Sequence, residues 1–188
     1  MKTLSIAAVA SALLIATPAL AQTFGGVERY GSLGYTNLSF DSIAGFNGKT
    51  GDIATGAVTG RLGARRGQNV GVEGELLAGV FHEDVGGANG ATVGVNFAAT
   101  AFLVGFLPVT REVDLFARVG VGAMDVKADA AGATEPEGAG THGLFAFGGG
   151  AQYAFQDVHA VRAEYTRYNV QGGAAEADAL TVSYVRKF

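Results

Sequence analysis

Apolar and polar residues alternate with a period of two along most of this chain, which is the pattern of β-strands lying between two different environments. In one such run, for example, Val72 and Leu76 fall on one face, whereas Glu73 and Glu75 fall on the other. Long helices are not indicated, because glycine recurs every few residues and each glycine inside a helix costs roughly 1 kcal/mol relative to alanine. Eight strands are predicted, at about 27–39, 53–66, 69–81, 91–107, 113–126, 143–155, 160–170 and 177–188.

The segments that connect these predicted strands are alternately short and long. The short connections are 67–68, 108–112 and 156–159, and the long ones are 40–52, 82–90, 127–142 and 171–176. This alternation indicates an up-and-down antiparallel meander, with tight turns at one end and long loops at the other.

Three features indicate that the apolar faces point toward lipid rather than toward a protein core. The runs are 11 to 17 residues long, more than the usual strand of about 5–6 residues and enough for a tilted strand to cross a bilayer in about 9–11. The opposite faces mix a few full charges with glycines such as Gly120 and Gly148, which suits a narrow interior. Charged residues make up only 16% of the chain and its mean hydropathy is +0.26, whereas soluble domains carry about 25% charged residues.

A sheet inside a bilayer must close, because an open edge would leave backbone N–H and C=O groups unpaired in hydrocarbon. We therefore predict an all-β fold, an eight-stranded antiparallel up-and-down transmembrane β-barrel, whose lumen is just filled by side chains. Outer-membrane barrels have short periplasmic turns and long extracellular loops, so both chain ends are expected on the periplasmic side.

The charged residues on the predicted inner faces carry both signs. If the tight turn at 67–68 sets the register of its hairpin, Arg61 lies opposite Glu75. Gly63 then lies opposite Glu73. Buried charges need partners, so we expect a structural ion network that plugs the lumen, formed by Arg61, Arg65, Glu73, Glu75, Arg118, Arg162 and Glu164. A selective ion path, the alternative interpretation, would call for a single sign of charge or a wide lumen.

The first 21 residues are predicted to be a cleaved signal peptide. Lys2 is followed by an apolar run from Leu4 to about Ile15 and then by the small-residue site Ala19-Leu20-Ala21. The barrel domain would then be the single domain Gln22–Phe188. The chain has no cysteine, a net charge of −4 and no basic run, so neither a disulfide framework nor nucleic-acid binding is expected.

Candidate catalytic residues are scattered along the chain. His82 and His142 lie beside long loops, His159 lies in a short turn, and Ser183 has no histidine on its strand face. The His-Glu-Asp sequence at 82–84 lacks the spaced ligands of a dedicated metal site. The glycine-rich stretches lie in strands rather than before a helix, so a phosphate-binding loop is not indicated. We therefore predict no enzymatic activity, no cofactor and no metal.

The segments "NVGVEGELLAG", "DLFARVGVGA", "VRAEYTRYNV" and the terminal "LTVSYVRKF" carry a likeness to a known family. Together with the overall pattern, they make the mature chain resemble the small eight-stranded outer-membrane barrels of Gram-negative bacteria, the OmpA transmembrane-domain and OmpX type within the porin-like proteins of the cell envelope. The resemblance implies an integral outer-membrane monomer in contact with outer-membrane lipid and lipopolysaccharide. Arg186 departs from the pattern, because it shares the face of Phe188, where an apolar or aromatic residue is common.

The resemblance leaves the physiological role open, because this fold serves many roles. The first interpretation is a structural or surface-interaction protein with a plugged lumen. The alternatives are a narrow pore for ions or small solutes and a lipid A-modifying enzyme, and the sequence names no partner for the extracellular loops. The last strand resembles the C-terminal signal that the β-barrel assembly machinery recognises, with Tyr184 and Phe188 as its aromatic residues.

Overall fold

The strands of this protein form one closed antiparallel sheet. The computed structural model describes residues 26–43, 53–80, 83–85, 91–129, 140–171 and 175–188. Its strands are β1 (Val27–Ile43), β2 (Ile53–Arg66), β3 (Val70–Gly79), β4 (Glu83–Val85), β5 (Ala91–Pro108), β6 (Val113–Asp129), β7 (Gly140–Gln156), β8 (His159–Val170) and β9 (Ala175–Lys187). Each long strand pairs with its neighbours in the chain, β1 also pairs with β9, and β3 pairs with β5. The described residues include no helix that is long and apolar enough to cross a membrane.

The predicted fold class is confirmed, since the eight predicted runs correspond to the eight long strands of a closed barrel. The strands extend further than predicted at the long-loop end, where β1 continues to Ile43, β6 to Asp129, and β7 starts at Gly140. The short strand β4 lies within a predicted loop and lengthens the wall by pairing with β5. The predicted signal peptide, 1–21, and most of the four long loops lie outside the described residues.

The strand register fixes the tilt and width of the barrel. A path through directly opposed residues, once around the barrel, starts at Leu144 and returns to the same strand at Ala154, a shift of ten residues. With about 3.3 Å per residue and about 4.8 Å between strands, this shift gives a tilt of about 40° and a radius of about 8 Å. A cylinder this narrow is filled by the side chains that point into it.

The hairpin of β2 and β3 shows how a local turn sets the register. Gly67 adopts φ 64°, a left-handed conformation that glycine reaches without steric cost. The strands leaving this turn place Arg61 opposite Glu75 and Gly63 opposite Glu73, as predicted. Two acidic side chains, Glu73 and Glu75, and two basic ones, Arg61 and Arg65, therefore point to the same side of the sheet.

The apolar faces point outward and the charged faces point inward. Val72 and Leu76 are more than half exposed on the outer wall, whereas Glu73 is buried in the lumen. Strict alternation along the predicted run 91–107 places Val95 on the outer face with Phe97; this prediction is wrong, because Val95 is buried inside. A β-bulge between these two residues inserts one extra residue into β5, so the alternation between outward and inward positions shifts by one at this point.

Candidate functional site

The lumen is the candidate site, because six charged side chains meet there away from water. We call them the ion layer, and none is more than 3% exposed. They come from four strands, β2, β3, β6 and β8, and comprise Arg61, Glu73, Glu75, Arg118, Arg162 and Glu164. The three positive and three negative charges balance, which is the condition under which burying ions is tolerable.

Glu75 lies at the centre of the ion layer and accepts three hydrogen bonds. Arg61 donates from Nε at 2.6 Å, Arg118 donates from Nη1 at 3.0 Å, and the hydroxyl of Tyr168 donates at 2.6 Å. Arg61 and Arg118 also share Glu164, whose Oε1 accepts a bond from each guanidinium. Two arginines and two glutamates thus form a ring of charge-assisted hydrogen bonds.

Glu73 and Arg162 form the part of the ion layer nearest the tight turns. Arg162 donates to Glu73 at 2.5 Å, and the hydroxyl of Tyr30 donates to the same carboxylate at 2.7 Å. The side-chain oxygen of Gln152 accepts two further bonds from Arg162, at 3.1 and 2.9 Å. The guanidinium also lies 4.6 Å from the ring centre of Phe116, so both its edge and its face have partners.

Arg65 belongs to a separate pair at the turn end, so the structure brings together six of the seven predicted residues. Its guanidinium donates to Asp114 at 2.8 Å and to the backbone oxygen of Gln68 at 3.0 Å. It also lies 4.3 Å from the ring centre of Phe106. Asp114, on a strand that does not neighbour β2, was missed because no local pattern links two residues 49 positions apart.

Hydroxyl groups form the next layer of the lumen, toward the long loops. Thr36 lies between Thr59 and Thr181, with oxygen separations of 2.5 and 2.8 Å. These residues come from three neighbouring strands, β2, β1 and β9, and all are buried. The layer connects the charged part of the lumen to an apolar part above it.

Apolar side chains fill the lumen at the long-loop end. We call this group the apolar layer; its members are at most 2% exposed and are Leu38, Phe40, Leu77, Val95, Met124 and Leu144. The prediction that the inner faces mix glycine with a few charged residues is therefore incomplete, since this part of the narrow barrel packs like a protein core. The sequence contained a sign of this apolar layer, because the adjacent residues Leu76 and Leu77 make the end of one strand apolar on both faces.

The residues weighed for catalysis are not grouped in the described structure. His159 stacks between Phe155 and Tyr184, with ring centres 6.0 and 5.8 Å apart, and the Tyr184 hydroxyl hydrogen-bonds its Nδ1. Ser183 points into the lumen opposite Arg162. His142 lies near the start of β7, and His82 is outside the described residues. No group of three His, Asp or Glu side chains that could hold a metal ion occurs within the described ranges.

The two residues proposed as an assembly signal lie on the outer wall at the turn end. Tyr184 is exposed toward lipid and contacts His159. The backbone N–H of Phe188 donates to the carbonyl of Arg29 at 2.9 Å, and the guanidinium of Arg186 lies 5.9 Å from the Phe188 ring centre. The last residue thus continues the pairing of β9 with β1.

Comparisons with solved structures show the same architecture in three bacterial proteins. Ail of Yersinia pestis, solved in complex with the heparin analogue sucrose octasulfate, has a TM-score of 0.62 at 15% identity, over 86% of this chain and 99% of Ail. Neisserial surface protein A gives 0.56 at 12% identity, over 87% and 97%. OprG from Pseudomonas aeruginosa gives 0.52 at 13% identity, over 86% and 95%. At these identities the likeness shows the fold alone.

Sequence comparison identifies the family. No curated protein matches this chain. The family described as "Outer membrane protein beta-barrel domain" matches residues 7–188, nearly the whole sequence. With its lipid-facing wall, its packed lumen and its closed eight-stranded sheet, this chain belongs to the outer membrane protein β-barrel domain family and is an integral outer-membrane protein.

Proposed function

We propose that this protein is a plugged barrel with a structural or surface-interaction role, and that it does not conduct ions or solutes. The observation that carries the proposal is the stacking of two different seals in one lumen. The ion layer blocks the half near the tight turns, and the apolar layer blocks the half near the long loops.

The apolar layer argues most directly against a pore. A hydrophobic constriction blocks the passage of ions because water leaves it, even where side chains do not fill it completely. Here Leu38 and Met124 have no measurable exposure, and Leu77 and Leu144 are only 1% and 2% exposed. Rearranging the charged groups below would leave this layer in place, so a change in the ion layer is not sufficient to open a path.

Conductance of the purified protein in planar lipid bilayers tests the proposal. We expect no sustained current from the wild-type barrel, with a general porin in the same membrane as the positive control. The variant Glu75→Gln, if it inserts, should also stay closed because the apolar layer is intact. Long-lived, ion-selective openings of the wild-type protein would establish the narrow-pore alternative instead.

We also propose that a signal peptide is removed after Ala21 and that both ends of the barrel chain are periplasmic. Support comes from the tight turns at 67–69 and 157–158, which lie at the same end as both termini of the sheet, as in outer-membrane barrels of known orientation. The intact mass of the protein from membranes tests the cleavage. A protease-sensitive tag after Phe188 should be protected in intact cells, whereas the same tag within 130–139 should be cut.

The charge of the long-loop end indicates what kind of partner the loops would accept. The sequence there carries three basic residues, Lys49, Lys127 and Arg167, against ten acidic ones, Asp41, Asp52, Glu83, Asp84, Asp125, Asp129, Glu135, Glu137, Glu176 and Asp178. We propose a neutral or cationic partner, in contrast to the polyanion bound by Ail. Retention of intact cells or purified protein on heparin at moderate salt would contradict this proposal.

We propose no enzymatic role, because neither described histidine is grouped with Ser183: His159 is on the outer wall, and His142 lies opposite Met124 in the apolar part of the lumen. Ser183 faces the lumen, whereas His159 contacts Tyr184 on the outer wall. Mass spectrometry of lipid A from cells with and without the gene should show the same acyl pattern. A changed pattern would support the alternative of a lipid A-modifying enzyme.

A further inference from the structure

Polar side chains lie on the outer wall toward the long-loop end of three neighbouring strands, β8, β9 and β1. The hydroxyl of Tyr165 donates to Asp178 at 2.6 Å. Arg167 forms ion pairs with Glu176 at 2.7 Å and with Asp178 at 3.7 Å, and these three charged side chains are 25% to 48% exposed. Asn37 is exposed at the corresponding level of β1. The apolar outer surface of these strands therefore ends at this polar edge.

The apolar stretch between this polar edge and the turn end is short. Its lower limit is His159 on β8, Arg186 on β9 and Arg29 on β1. Three outward positions lie between the two limits on each strand, and one of the three is a tyrosine, a residue enriched where a membrane wall meets water. We call this surface the thin face; its residues are Val161, Ala163, Tyr165, Leu180, Val182, Tyr184, Gly31, Leu33 and Tyr35. Each outward position adds about 5 Å of height at a tilt of about 40°, so the thin face is about 15 Å tall.

The wall formed by β5 and β6 is about twice as tall. Each of these strands has six successive outward apolar positions, which by the same measure span about 30 Å. The polar edge above them is Asp125, which accepts hydrogen bonds from Asn96 at 3.2 Å and from Thr141 at 3.0 Å. We call this surface the thick face; its residues are Phe97, Ala99, Ala101, Leu103, Gly105, Leu107, Val113, Leu115, Ala117, Val119, Val121 and Ala123.

The two polar edges lie at different heights along the barrel axis. Directly opposed residues lead from Asp178 through Arg167 and Phe147 to Val119 on β6. Each step in this direction falls about 3 Å toward the tight turns, so Val119 lies about 9 Å below Asp178. Asp125 is six residues beyond Val119 and rises about 15 Å above it. The polar edge of the thin face is therefore about 6 Å lower than that of the thick face.

We propose that the membrane is locally thinned against the thin face, and that this face fits lipids with short or compressed acyl chains. A flat bilayer that matched the thick face would cover Arg167 and Asp178 with hydrocarbon. Charges on a lipid-facing wall destabilise a barrel more the deeper they lie. Thinning the bilayer beside a short apolar stretch has only a modest cost per ångström. The lipid therefore adapts to the polar edge, and the thickness of the bilayer differs between the two sides of one barrel.

Charge favours lipid over a second copy of the barrel as the cover of the thin face. In a symmetric dimer with β9 at its centre, Asp178 and Glu176 would each lie at the level of their own copies. The polar edge carries two acidic side chains and one basic one, so two copies would bring together groups of the same net charge. A thinned bilayer leaves the same edge in contact with headgroups and water.

Spin labels at two matched positions of the outer wall test the proposal. The chain has no cysteine, so a single substitution gives a single label. Leu180 on the thin face and Val121 on the thick face are 61% and 65% exposed, and by the same counting of opposed residues they lie at the same height. Leu180→Cys and Val121→Cys are each labelled with a nitroxide and reconstituted in palmitoyl-oleoyl phosphatidylcholine vesicles. The collision rates of each nitroxide with oxygen and with a water-soluble nickel complex give its depth in the bilayer.

We expect the label at position 180 to lie about 5 Å closer to the headgroups than the label at position 121, because its polar edge is two residues away rather than four. Val182→Cys and Val119→Cys, the next matched pair toward the turns, should show the same difference. Equal depths within each pair would overturn the proposal. So would dipolar broadening of the spectrum at position 180, because it would place a second copy of the barrel against the thin face.

A pair of double variants tests whether the polar edge causes the thinning. Arg167→Leu with Asp178→Leu extends the apolar surface of the thin face, so the label at position 180 should sink to the depth of the label at position 121. Asn96→Leu with Asp125→Leu is the matched control, because it removes a hydrogen-bonded polar pair from the thick face and should leave the label at position 180 where it was. A label that stays shallow in the first double variant would overturn the proposal. Heat-modifiable gel migration confirms that each variant is folded.

Discussion

The variant Glu75→Gln tests whether the ion layer holds the barrel together. The substitution preserves the shape of the side chain but removes its negative charge. The amide oxygen can still accept a bond from Arg61, Arg118 or Tyr168, which now lie around Glu75 at 2.6 to 3.0 Å. The amide nitrogen can donate only to the oxygen of Tyr168, which then no longer donates to residue 75, and both guanidinium groups lose the negative charge that they pair with.

The expected loss follows from the number and type of contacts that are changed. Hydrogen bonds to charged groups contribute about 1.5–3 kcal/mol each, and removing one partner of a buried ion pair costs about 3–5 kcal/mol. Two guanidinium groups would share the remaining Glu164, and the layer would carry a net positive charge. We therefore expect the free energy of unfolding to fall by about 3–5 kcal/mol.

Equilibrium unfolding by urea in lipid vesicles, followed by the gel shift of the folded barrel, measures this loss. Glu176→Gln is the matched control, because Glu176 pairs with Arg167 at 2.7 Å but its side chain is 48% exposed. Exposed pairs contribute about 0.2–1 kcal/mol, so the control should lose far less. If Glu75→Gln lost no more stability than Glu176→Gln, the ion layer would not be a stabilising element.

Three further predictions follow from the wall, the apolar layer and the last residue. Gly63→Ala should lower the free energy of unfolding by about 1–3 kcal/mol, because the ring of Tyr30 occupies the space that a methyl group would need. Gly74→Ala should change the free energy of unfolding by less than about 0.5 kcal/mol, because Gly74 has open space there. Unfolding in lipid vesicles measures both changes. Leu77→Ala should cost about 2–5 kcal/mol by leaving a cavity in the apolar layer, with the same unfolding assay as the check. Phe188→Ala should reduce the amount of barrel assembled in cells more than it slows refolding in detergent; equal effects in both assays would count against a role as an assembly signal.

The charged part of the lumen was accessible from sequence because it follows two simple rules. The alternation of side chains along a strand placed Arg61, Glu73 and Glu75 on one face, and a single tight turn set which of these residues lie opposite each other. Tyr168 could have been added by the same alternation, since it lies on the face of Glu164. Its hydrogen bond to Glu75, however, crosses the barrel and joins residues 93 positions apart in the chain, which alternation along one strand does not predict.

The features that were missed depend on geometry beyond a single strand. The bulge that turns Val95 inward has no marker in the alternation, because both Val95 and Phe97 are apolar. The apolar layer was hidden for a similar reason, since a lipid-facing leucine and a lumen-facing leucine look alike in sequence. The pairing of Arg65 with Asp114 depends on the barrel being narrow enough for strands that are not neighbours to touch.

Buried charges also explain why this chain has one register although much of it is apolar on both faces. A slip of one residue would turn every side chain of a strand to the other side of the wall. In the apolar part of the lumen such a slip would exchange one leucine for another, as with Leu76 and Leu77. In the ion layer a slip would expose arginine to the bilayer interior, which destabilises the barrel by about 2–4 kcal/mol for each arginine near the midplane. Arg61, Arg118 and Arg162 lie on three different strands, so together they oppose slippage of β2, β6 and β8, and the glutamates that they bind extend the same constraint to β3.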